Sequence, residues 1–418
     1  STQAKTLFPY TTLFRSVASS DTIASLAGAG NVTLNSNTLT VGGSSNTTYS
    51  GVMSGTGSLV KAGTATFTMS GANTYTGATY INAGTLSLSA AGSIADSGVV
   101  VVDATFDISA TISGASVKRL DGVGDIALGA KTLTITAANA ADNFEGVLAG
   151  TGGLTLAGGT QVLSGANTYT GDTNINAGTL ILTGSLSSST DVVMTNAAVW
   201  DLQAAQTVAS LSMASGNSIT NTAGTSSLTV SGTSTLANSI TTTGIQTYTG
   251  AVTLAANTAI NTTNSAVTFS AGVTGSGNTL TVNAGSGAIS TAALGTSAAS
   301  LGAVILNSTG ATTLGGATYA ASVTTNAGGT VAINTTTVTT TGAQTYNDAV
   351  TLGQATTLTG TTINAASTVN GGGNNLTITG NANMSGAVTN VADLSVSGTT
   401  NLAADVTTTG AQNYTGAL

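Results

Sequence analysis

Only 5% of the 418 residues are charged, the formal net charge is −8, and Cys and His are both absent. The missing residue types exclude disulfides, thiolate and imidazole metal ligands and Ser-His-Asp catalysis, and no Lys or Arg follows Lys131 to neutralise nucleic-acid phosphates or anionic lipid. Because 41% of the residues are hydrophobic, the chain has enough apolar side chains to bury a core.

The first segment of the chain differs in kind from the rest. Residues 6–16 read TLFPYTTLFRS and contain Pro9, the single proline of the sequence. Codon by codon, this segment is the translation of a nucleotide string that resembles a widely used sequencing adaptor. We therefore expect residues 1–16 to be non-native and disordered, and we expect the natural export signal to be missing.

From residue 17 onward, short runs alternate apolar and hydroxyl residues and are separated by Gly, Asn, Ser or Asp. This period-two pattern predicts strands with one buried and one solvated face. Such strands are predicted at 31–34, 38–41, 79–82, 85–88, 132–136, 279–282 and 303–306. No run of 18 apolar residues is present, so no membrane-spanning helix is predicted.

Two all-β architectures fit these strands, a string of sandwich modules and a solenoid. Only 4% of the residues are aromatic and no proline follows residue 16, which disfavours sandwiches. Gly and Asn turns with small aliphatic side chains suit stacked coils, and Asn side chains at equivalent turns are predicted to form hydrogen-bonded ladders. We predict an elongated, right-handed parallel β-helix, with roughly 20 residues per coil and a length of about 100 Å.

Two kinds of internal repeat divide the chain. The block GTGSLVKAGTATFTMSGANTYTGATYINAGTL begins at Gly55 and returns in related form at Gly150, which places repeats at 55–88 and 150–183. The segment TTTGIQTYTGAVTL begins at Thr241 and returns from Thr339 and Thr407. We predict one β-helical region over 17–240 and its continuation over 241–418, truncated at the C-terminus and prone to aggregate when expressed alone.

Five tyrosines, the repeat tyrosines, align when the repeats are superimposed: Tyr75, Tyr169, Tyr248, Tyr346 and Tyr414. We predict that they share one structural position and pack at a coil corner with the hydroxyl at the surface. A row of exposed rings that stack on sugars is the alternative. The lone Trp200 is predicted to lie in the core.

The first block resembles the autotransporter-associated β-strand repeat. Its matching positions in the two copies are Gly71, Asn73, Tyr75, Gly77 and Gly84, and Gly165, Asn167, Tyr169, Gly171 and Gly178. The pattern's Lys is present as Lys61 and is replaced by Leu156 in the second copy. The TTTGxQxY segments resemble repeats of filamentous-haemagglutinin-like adhesins.

This resemblance implies a passenger segment of a large Gram-negative surface protein, exported by a type V route through an outer-membrane translocator. It implies a structural and adhesive role at the cell surface, with no catalysis, no cofactor and no metal. The partner would be a glycan or protein of a host or environmental surface.

A glycan-active β-helix enzyme, a polysaccharide lyase or hydrolase, is the competing interpretation. Asp103 and Asp107 are four residues apart and would share a face on a strand, and Asp121 and Asp125 follow. Paired carboxylates could act as acid and base or hold Ca²⁺. The other interpretation is a solvated turn in which Asp side chains accept backbone N–H groups. Three or more converging carboxylates would favour the enzyme.

Rows of Thr, as in 64–68 and 132–136, raise ice binding as a further alternative. The irregular coil length disfavours it.

Overall fold

The computed structural model describes residues 6–7 and 15–418, and within them the regular structure is entirely β. The described residues include no helix long and apolar enough to cross a bilayer. The chain divides into two compact units, the first ending at Ala204 and the second running from Ala205 to Leu418. The predicted change of repeat type at 240/241 lies inside the second unit, and the predicted domain division stays a prediction.

The strands of the first unit are short and separated by turns. They are β1 (Thr6–Leu7), β2 (Arg15–Ser16), β3 (Asp21–Ile23), β4 (Ser25–Leu26), β5 (Val32–Thr33), β6 (Thr38–Val41), β7 (Thr47–Tyr49), β8 (Met53–Ser54), β9 (Ser58–Lys61), β10 (Thr66–Met69), β11 (Thr79–Ile81), β12 (Thr85–Ala90), β13 (Val100–Val102), β14 (Thr105–Thr111), β15 (Ala115–Val117), β16 (Leu120–Asp121), β17 (Asp125–Gly129), β18 (Leu133–Ile135), β19 (Asn143–Phe144), β20 (Leu148–Gly150), β21 (Leu154–Leu156), β22 (Thr160–Leu163), β23 (Thr173–Ile175), β24 (Thr179–Leu182), β25 (Asp191–Met194) and β26 (Val199–Leu202).

The second unit contains several longer strands. Its strands are β27 (Ala205–Val208), β28 (Ser210–Met213), β29 (Ser218–Thr220), β30 (Ser227–Val230), β31 (Ser234–Thr241), β32 (Gln246–Tyr248), β33 (Val252–Asn261), β34 (Val267–Phe269), β35 (Val273–Thr274), β36 (Leu280–Gly285), β37 (Ile289–Thr291), β38 (Leu301–Ser308), β39 (Ala311–Leu314), β40 (Thr318–Thr325), β41 (Thr330–Ile333), β42 (Thr337–Thr340), β43 (Gln344–Tyr346), β44 (Ala349–Leu352), β45 (Thr356–Ala365), β46 (Val369–Asn370), β47 (Leu376–Met384), β48 (Val388–Val391), β49 (Leu394–Val396), β50 (Thr400–Leu402), β51 (Val406–Thr408) and β52 (Gln412–Tyr414).

In the first unit, strands pair in parallel with strands of the neighbouring coils, and a strand inside a ladder pairs with both the coil before and the coil after. One ladder is β3-β6-β9-β11-β13-β16 and a second is β7-β10-β12-β14-β17-β20. A third face begins at β15 and continues as β18, β21, β23 and β25. Thr85 pairs with Thr66 on one side and Thr105 on the other, so a coil takes 19 or 20 residues here. Parallel pairing at this interval defines a β-solenoid and confirms the predicted fold class.

The core of the first unit consists of columns of apolar side chains that stack from coil to coil. Phe67, Leu86, Phe106, Ile126 and Leu148 occupy one register position of successive strands and are at most 1% exposed. Strands such as β6 and β10 alternate half-exposed hydroxyl and buried apolar residues, as the period-two pattern predicts. Trp200, in β26, is also buried, as predicted.

The second unit is a parallel β-solenoid with one regular face of 11 strands, β27-β30-β32-β34-β37-β39-β41-β44-β46-β48-β51. Its longer strands include a change of register, which turns the strand around a corner. In the pairing of β31 with β33, the shift falls between Leu236 and Asn238, and Asn238 has a φ of 56°. Asn tolerates this left-handed conformation better than most residues, so Asn fits the corner.

The predicted Asn ladders exist, but they lie on strands rather than at turns. Asn283 Nδ2 donates to Asn261 Oδ1 at 2.8 Å, and Asn307 Nδ2 donates to Asn283 Oδ1 at the same distance. These residues pair along β33, β36 and β38. The Asn283 amide therefore donates to the coil before it and accepts from the coil after it, in line with the strand hydrogen bonds.

The predicted non-native segment is described at residues 6, 7, 15 and 16, as the two-residue strands β1 and β2. The rest of residues 1–16 lies outside the described residues, so that prediction stays a prediction.

Candidate functional site

The four candidate carboxylates lie in a turn (Asp103), inside a strand (Asp107) and at strand ends (Asp121 and Asp125). Asp103 lies in the turn between β13, which ends at Val102, and β14, which begins at Thr105. Asp103 and Asp107 therefore do not share a strand, and the expectation that they share a strand face is wrong. In the ladders, Asp107 pairs with Ala127, Asp125 with Thr105, and Asp121 with Val101. No two of these carboxylates stand at paired positions.

Three of these Asp side chains accept hydrogen bonds from the backbone. Asp107 Oδ1 accepts from Ser109 N at 2.9 Å, and Asp121 Oδ1 accepts from Gly122 N at 2.8 Å. Asp125 Oδ1 accepts from Val147 N, in the following coil, at 3.1 Å. Within the described residues, no group of three or more His, Cys, Asp or Glu is arranged to hold a metal ion.

Asn side chains elsewhere in the solenoid accept equivalent hydrogen bonds from the backbone. Asn31 Oδ1 accepts from Val52 N at 3.0 Å, and Asn257 Oδ1 accepts from Thr279 N at 2.9 Å. Such bonds tie one coil to the next and satisfy backbone donors. The contacts of Asp121 and Asp125 are thus those of structural residues.

Three buried carboxylates, Asp142, Asp201 and Asp348, were not predicted from the sequence. Asp201 accepts a hydrogen bond from Gln203 Nε2 at 2.6 Å. Asp142 is 2% exposed and receives two parallel bonds from the Arg119 guanidinium, of which Nε to Oδ2 is 2.7 Å. Asp348 is also 2% exposed and accepts from Gly329 N at 2.7 Å, and burial raises the pKa of its carboxyl. A signal existed for Asp348, because it replaces the Gly250 of the preceding TTTGxQxY copy.

Tyr75 and Tyr169 occupy equivalent places, and their hydroxyls are buried. Both residues are 0% exposed. The Tyr75 hydroxyl lies 2.6 Å from Thr79 Oγ1, and the Tyr169 hydroxyl lies 2.6 Å from Thr173 Oγ1. Burial raises the pKa of both phenols, and the hydrogen bond to Thr opposes this rise. The expectation of a hydroxyl at the surface is wrong here, because a threonine four residues on supplies an internal partner.

Tyr248, Tyr346 and Tyr414 form a second class. Each lies in a strand and donates to the Gln two residues earlier, Tyr248 to Gln246 Oε1 at 2.8 Å and Tyr346 to Gln344 Oε1 at 2.9 Å. Tyr414 makes the same bond to Gln412 at 3.0 Å, in a more exposed setting. Tyr75 and Tyr169 lie outside the named strands. The five repeat tyrosines therefore do not share one structural position, although their local sequences align.

Asn73 and Asn167 each join three consecutive coils. Asn73 Oδ1 accepts from Met53 N at 2.9 Å, and its Nδ2 donates to Gly71 O at 2.8 Å and Ser93 O at 3.0 Å. Asn167 repeats this pattern with Leu148 N, Gly165 O and Ser185 O. A buried amide with all of these partners holds the coils at a set spacing.

The glycines of the repeat lie where adjacent backbones approach closely. A Cβ at Gly71 would lie 2.1 Å from Gly51 O, and a Cβ at Gly165 would lie 2.0 Å from Gly146 O, so either side chain would clash with the backbone of the preceding coil. Gly77 and Gly171 likewise face backbone atoms of the preceding coil. Gly84 and Gly178 have φ values of 66° and 81°, a region that favours glycine.

Lys61 is a buried cation that has no carboxylate partner among the residues the structure describes. Its side chain is 2% exposed, and Nζ donates to Ala62 O at 2.9 Å, Gly63 O at 2.8 Å and Ala83 O at 2.8 Å. Three carbonyls match the three donors of an ammonium group, and one of them belongs to the following coil. Burial lowers the pKa of the Lys61 ammonium. Leu156 fills the equivalent place in the second repeat and is 1% exposed.

These networks define a solenoid repeat in which buried polar side chains link successive coils. Residues 59–88 and 147–182 match the family model described as the passenger-associated-transport-repeat. The two segments overlap the repeats predicted at 55–88 and 150–183, so the resemblance to autotransporter passenger repeats is confirmed for these two segments. No curated protein and no solved structure matches the chain significantly.

Proposed function

We propose that this chain is a non-catalytic, structural and adhesive segment of the passenger of a secreted bacterial surface protein. One observation carries the proposal. The residues that recur between the two passenger repeats are buried. Asn73 and Asn167 bind neighbouring coils, and Tyr75 and Tyr169 each bind a threonine of their own coil. The residues that recur are therefore those that hold the solenoid together. A passenger that presents a surface for binding needs such a scaffold.

The outward faces supply an adhesive surface of uncharged hydrogen-bonding groups. On the 11-stranded face, Thr229, Thr247 and Thr268 occupy one register position of successive strands, and each is half-exposed. Hydroxyl and amide groups can donate to and accept from the hydroxyls of a glycan or the polar groups of a protein. The proposed partners are accordingly glycans or proteins of a host or environmental surface.

Adhesion is tested with beads coated with the purified chain. Coated beads should bind at least one surface in a panel of glycans and matrix proteins more strongly than albumin-coated beads. The variant Thr247→Lys with Thr268→Lys places two long cations on the 11-stranded face, and Thr345→Lys with Asn364→Lys places them on the face of β43 and β45. Loss of binding in one folded variant locates the adhesive face. Binding no stronger than that of albumin across the panel contradicts adhesion.

Catalysis is tested on the same preparation. The chain is incubated with acidic and neutral polysaccharides, and new reducing ends and unsaturated sugars are measured. We expect no release above the buffer control. Turnover that disappears on Asp121→Asn or Asp125→Asn would instead support the glycan-active enzyme.

Surface display tests the localisation and the translocator. The chain is placed between a signal peptide and an outer-membrane translocator in a Gram-negative host. We expect protease added to intact cells to remove the chain. A chain that is protected on intact cells and cleaved only after lysis contradicts passenger behaviour.

A further inference from the structure

The solenoid face that begins at β15 has one unpaired edge. β15 (Ala115–Val117) pairs with β18 on one side, and within the described residues no strand pairs with its other side. In the preceding coil, the residues that line a groove together with β15 are 90–93 and Ala95, and none of them after Ala90 belongs to a named strand. An unpaired edge is a template for an added strand.

The backbone of Ser116 presents the pairing groups of this edge. Ala115 N donates to Thr132 O and Thr136 N donates to Val117 O, so Ala115 and Val117 direct their groups toward the coil of β18. In a parallel ladder, alternate residues point to opposite neighbours. Ser116 therefore directs its N–H and C=O away from β18, and neither group has a partner in the described part of the chain.

A groove lies along this edge. Its volume is about 390 Å³, and it is lined by residues 90–93 and Ala95, by residues 112–116, and by Thr132 and Thr134. Ile112 is 71% exposed at the groove, in a chain whose other large apolar side chains are mostly buried. The groove thus offers an apolar contact beside unpaired backbone groups.

One lysine is bonded to the backbone near each end of the groove, and the residue that Lys118 contacts is Asp96. Lys131 Nζ donates to Ile112 O at 3.1 Å at one end, and Lys118 Nζ donates to Asp96 O at 2.8 Å at the other. Arg119 follows Lys118 and is paired with Asp142. Among the side chains that the structure describes, Lys118, Arg119 and Lys131 are the cations that are not buried. The whole chain, in contrast, has a net charge of −8. Cations at both ends of a strand-length groove favour an acidic occupant.

We propose that this groove binds an extended acidic segment of a partner polypeptide, which adds as a strand along β15. Main-chain bonds to Ser116 provide the pairing, Ile112 contacts an apolar side chain of the segment, and Lys118 and Lys131 attract its carboxylates. The groove is separate from the outward sheet faces proposed for adhesion, so either proposal can fail without the other.

The test measures fluorescence anisotropy of a labelled short peptide of alternating Glu and Val. Ser116→Pro removes the outward N–H, which β18 does not use, and Ser116→Ala is the matched control that keeps it. We expect binding to the wild type and to Ser116→Ala within about twofold, and about tenfold weaker binding to Ser116→Pro. Binding to Lys118→Ala with Lys131→Ala should weaken and should lose much of its dependence on salt.

Two further probes keep the result decisive if Ser116→Pro folds poorly. A peptide N-methylated at alternate residues cannot pair with an edge and should not bind, and a peptide with Gln in place of Glu should bind more weakly. Equal binding of the N-methylated peptide, or no binding of the acidic peptide up to about 1 mM, overturns the proposal.

Equal binding of polygalacturonate to wild type and Ser116→Pro would show a charged patch that does not add strands, and would also overturn it. If the wild-type chain self-associates and Ser116→Pro does not, the groove binds a second copy of this chain. That result would overturn the assignment of the groove to a different partner polypeptide.

Discussion

Replacement of Lys61 by Met tests whether a buried ammonium stabilises the passenger repeat. Lys61→Met keeps most of the side-chain volume but leaves the carbonyls of Ala62, Gly63 and Ala83 without their shared donor. Each lost partner costs about 1 kcal/mol or more, and relief of the desolvated charge offsets part of the total. We expect the free energy of unfolding to fall by about 2 kcal/mol.

The matched control is Leu156→Met, at the same place in the second repeat, which should cost less than about 1.5 kcal/mol. Urea unfolding followed by the fluorescence of Trp200, the single Trp, measures both variants. Trp200 is buried and lies in the same compact unit as both sites. If Lys61→Met is as stable as Leu156→Met, the three carbonyl bonds contribute nothing and the reasoning is refuted.

The pH dependence of the same pair of proteins gives a second check. Burial lowers the folded-state pKa of Lys61 below its unfolded value of 10.5. Between these two values the unfolded state binds more protons, so this group adds stability as the pH rises. The advantage of the wild type over Lys61→Met should therefore increase toward about pH 10. A constant difference would show that the folded pKa is not lowered.

Three other expectations follow from buried polar contacts. Tyr75→Phe removes the hydroxyl bonded to Thr79 and should cost about 1 kcal/mol in urea unfolding, whereas an unchanged midpoint would show that the bond contributes nothing. Arg119→Met leaves the Asp142 carboxylate buried without its cation and should cost about 2 kcal/mol, most of which Asp142→Asn in the same chain should restore. Burial raises the pKa of the Tyr75, Tyr169, Tyr248 and Tyr346 phenols. Above about pH 10 the unfolded state therefore loses protons that the folded state keeps, and the free energy of unfolding should fall by about 1.4 kcal/mol per pH unit for each phenol. Tyrosinate absorbance that appears before unfolding would contradict this last expectation.

Strand positions were predictable because their pattern is local. The predicted strand 38–41 coincides with β6, and the predicted strand 303–306 lies inside β38, which extends from Leu301 to Ser308. Alternation of apolar and hydroxyl residues identifies a strand with one buried face without knowledge of its partner. The ends of longer strands depend on corners such as Asn238, where pairing resumes after a register shift, and no local pattern marks them.

The repeat tyrosines show where alignment of sequences misleads. Tyr75 and Tyr248 have similar neighbours, but Tyr75 bonds to a Thr four residues later and Tyr248 to a Gln two residues earlier. The Gln of the TTTGxQxY segments, which replaces the Asn of the first repeats, is the residue that marks the difference. Asn73 instead bonds to the backbone of three coils.

Composition and repetition by themselves determined that this protein is a β-solenoid with passenger repeats, because strand periodicity, glycine and asparagine turns and the recurring block are all properties of the linear chain. Tertiary structure alone decided which polar groups are buried and what they bind. Lys61 binds carbonyls in its own turn and in the next coil, and Asp142 binds Arg119. In the described part of the chain, the backbone of Ser116 has no partner on one side. These outcomes depend on which coils stack in register, and that register is set by the summed packing of residues about 20 positions apart rather than by any local segment.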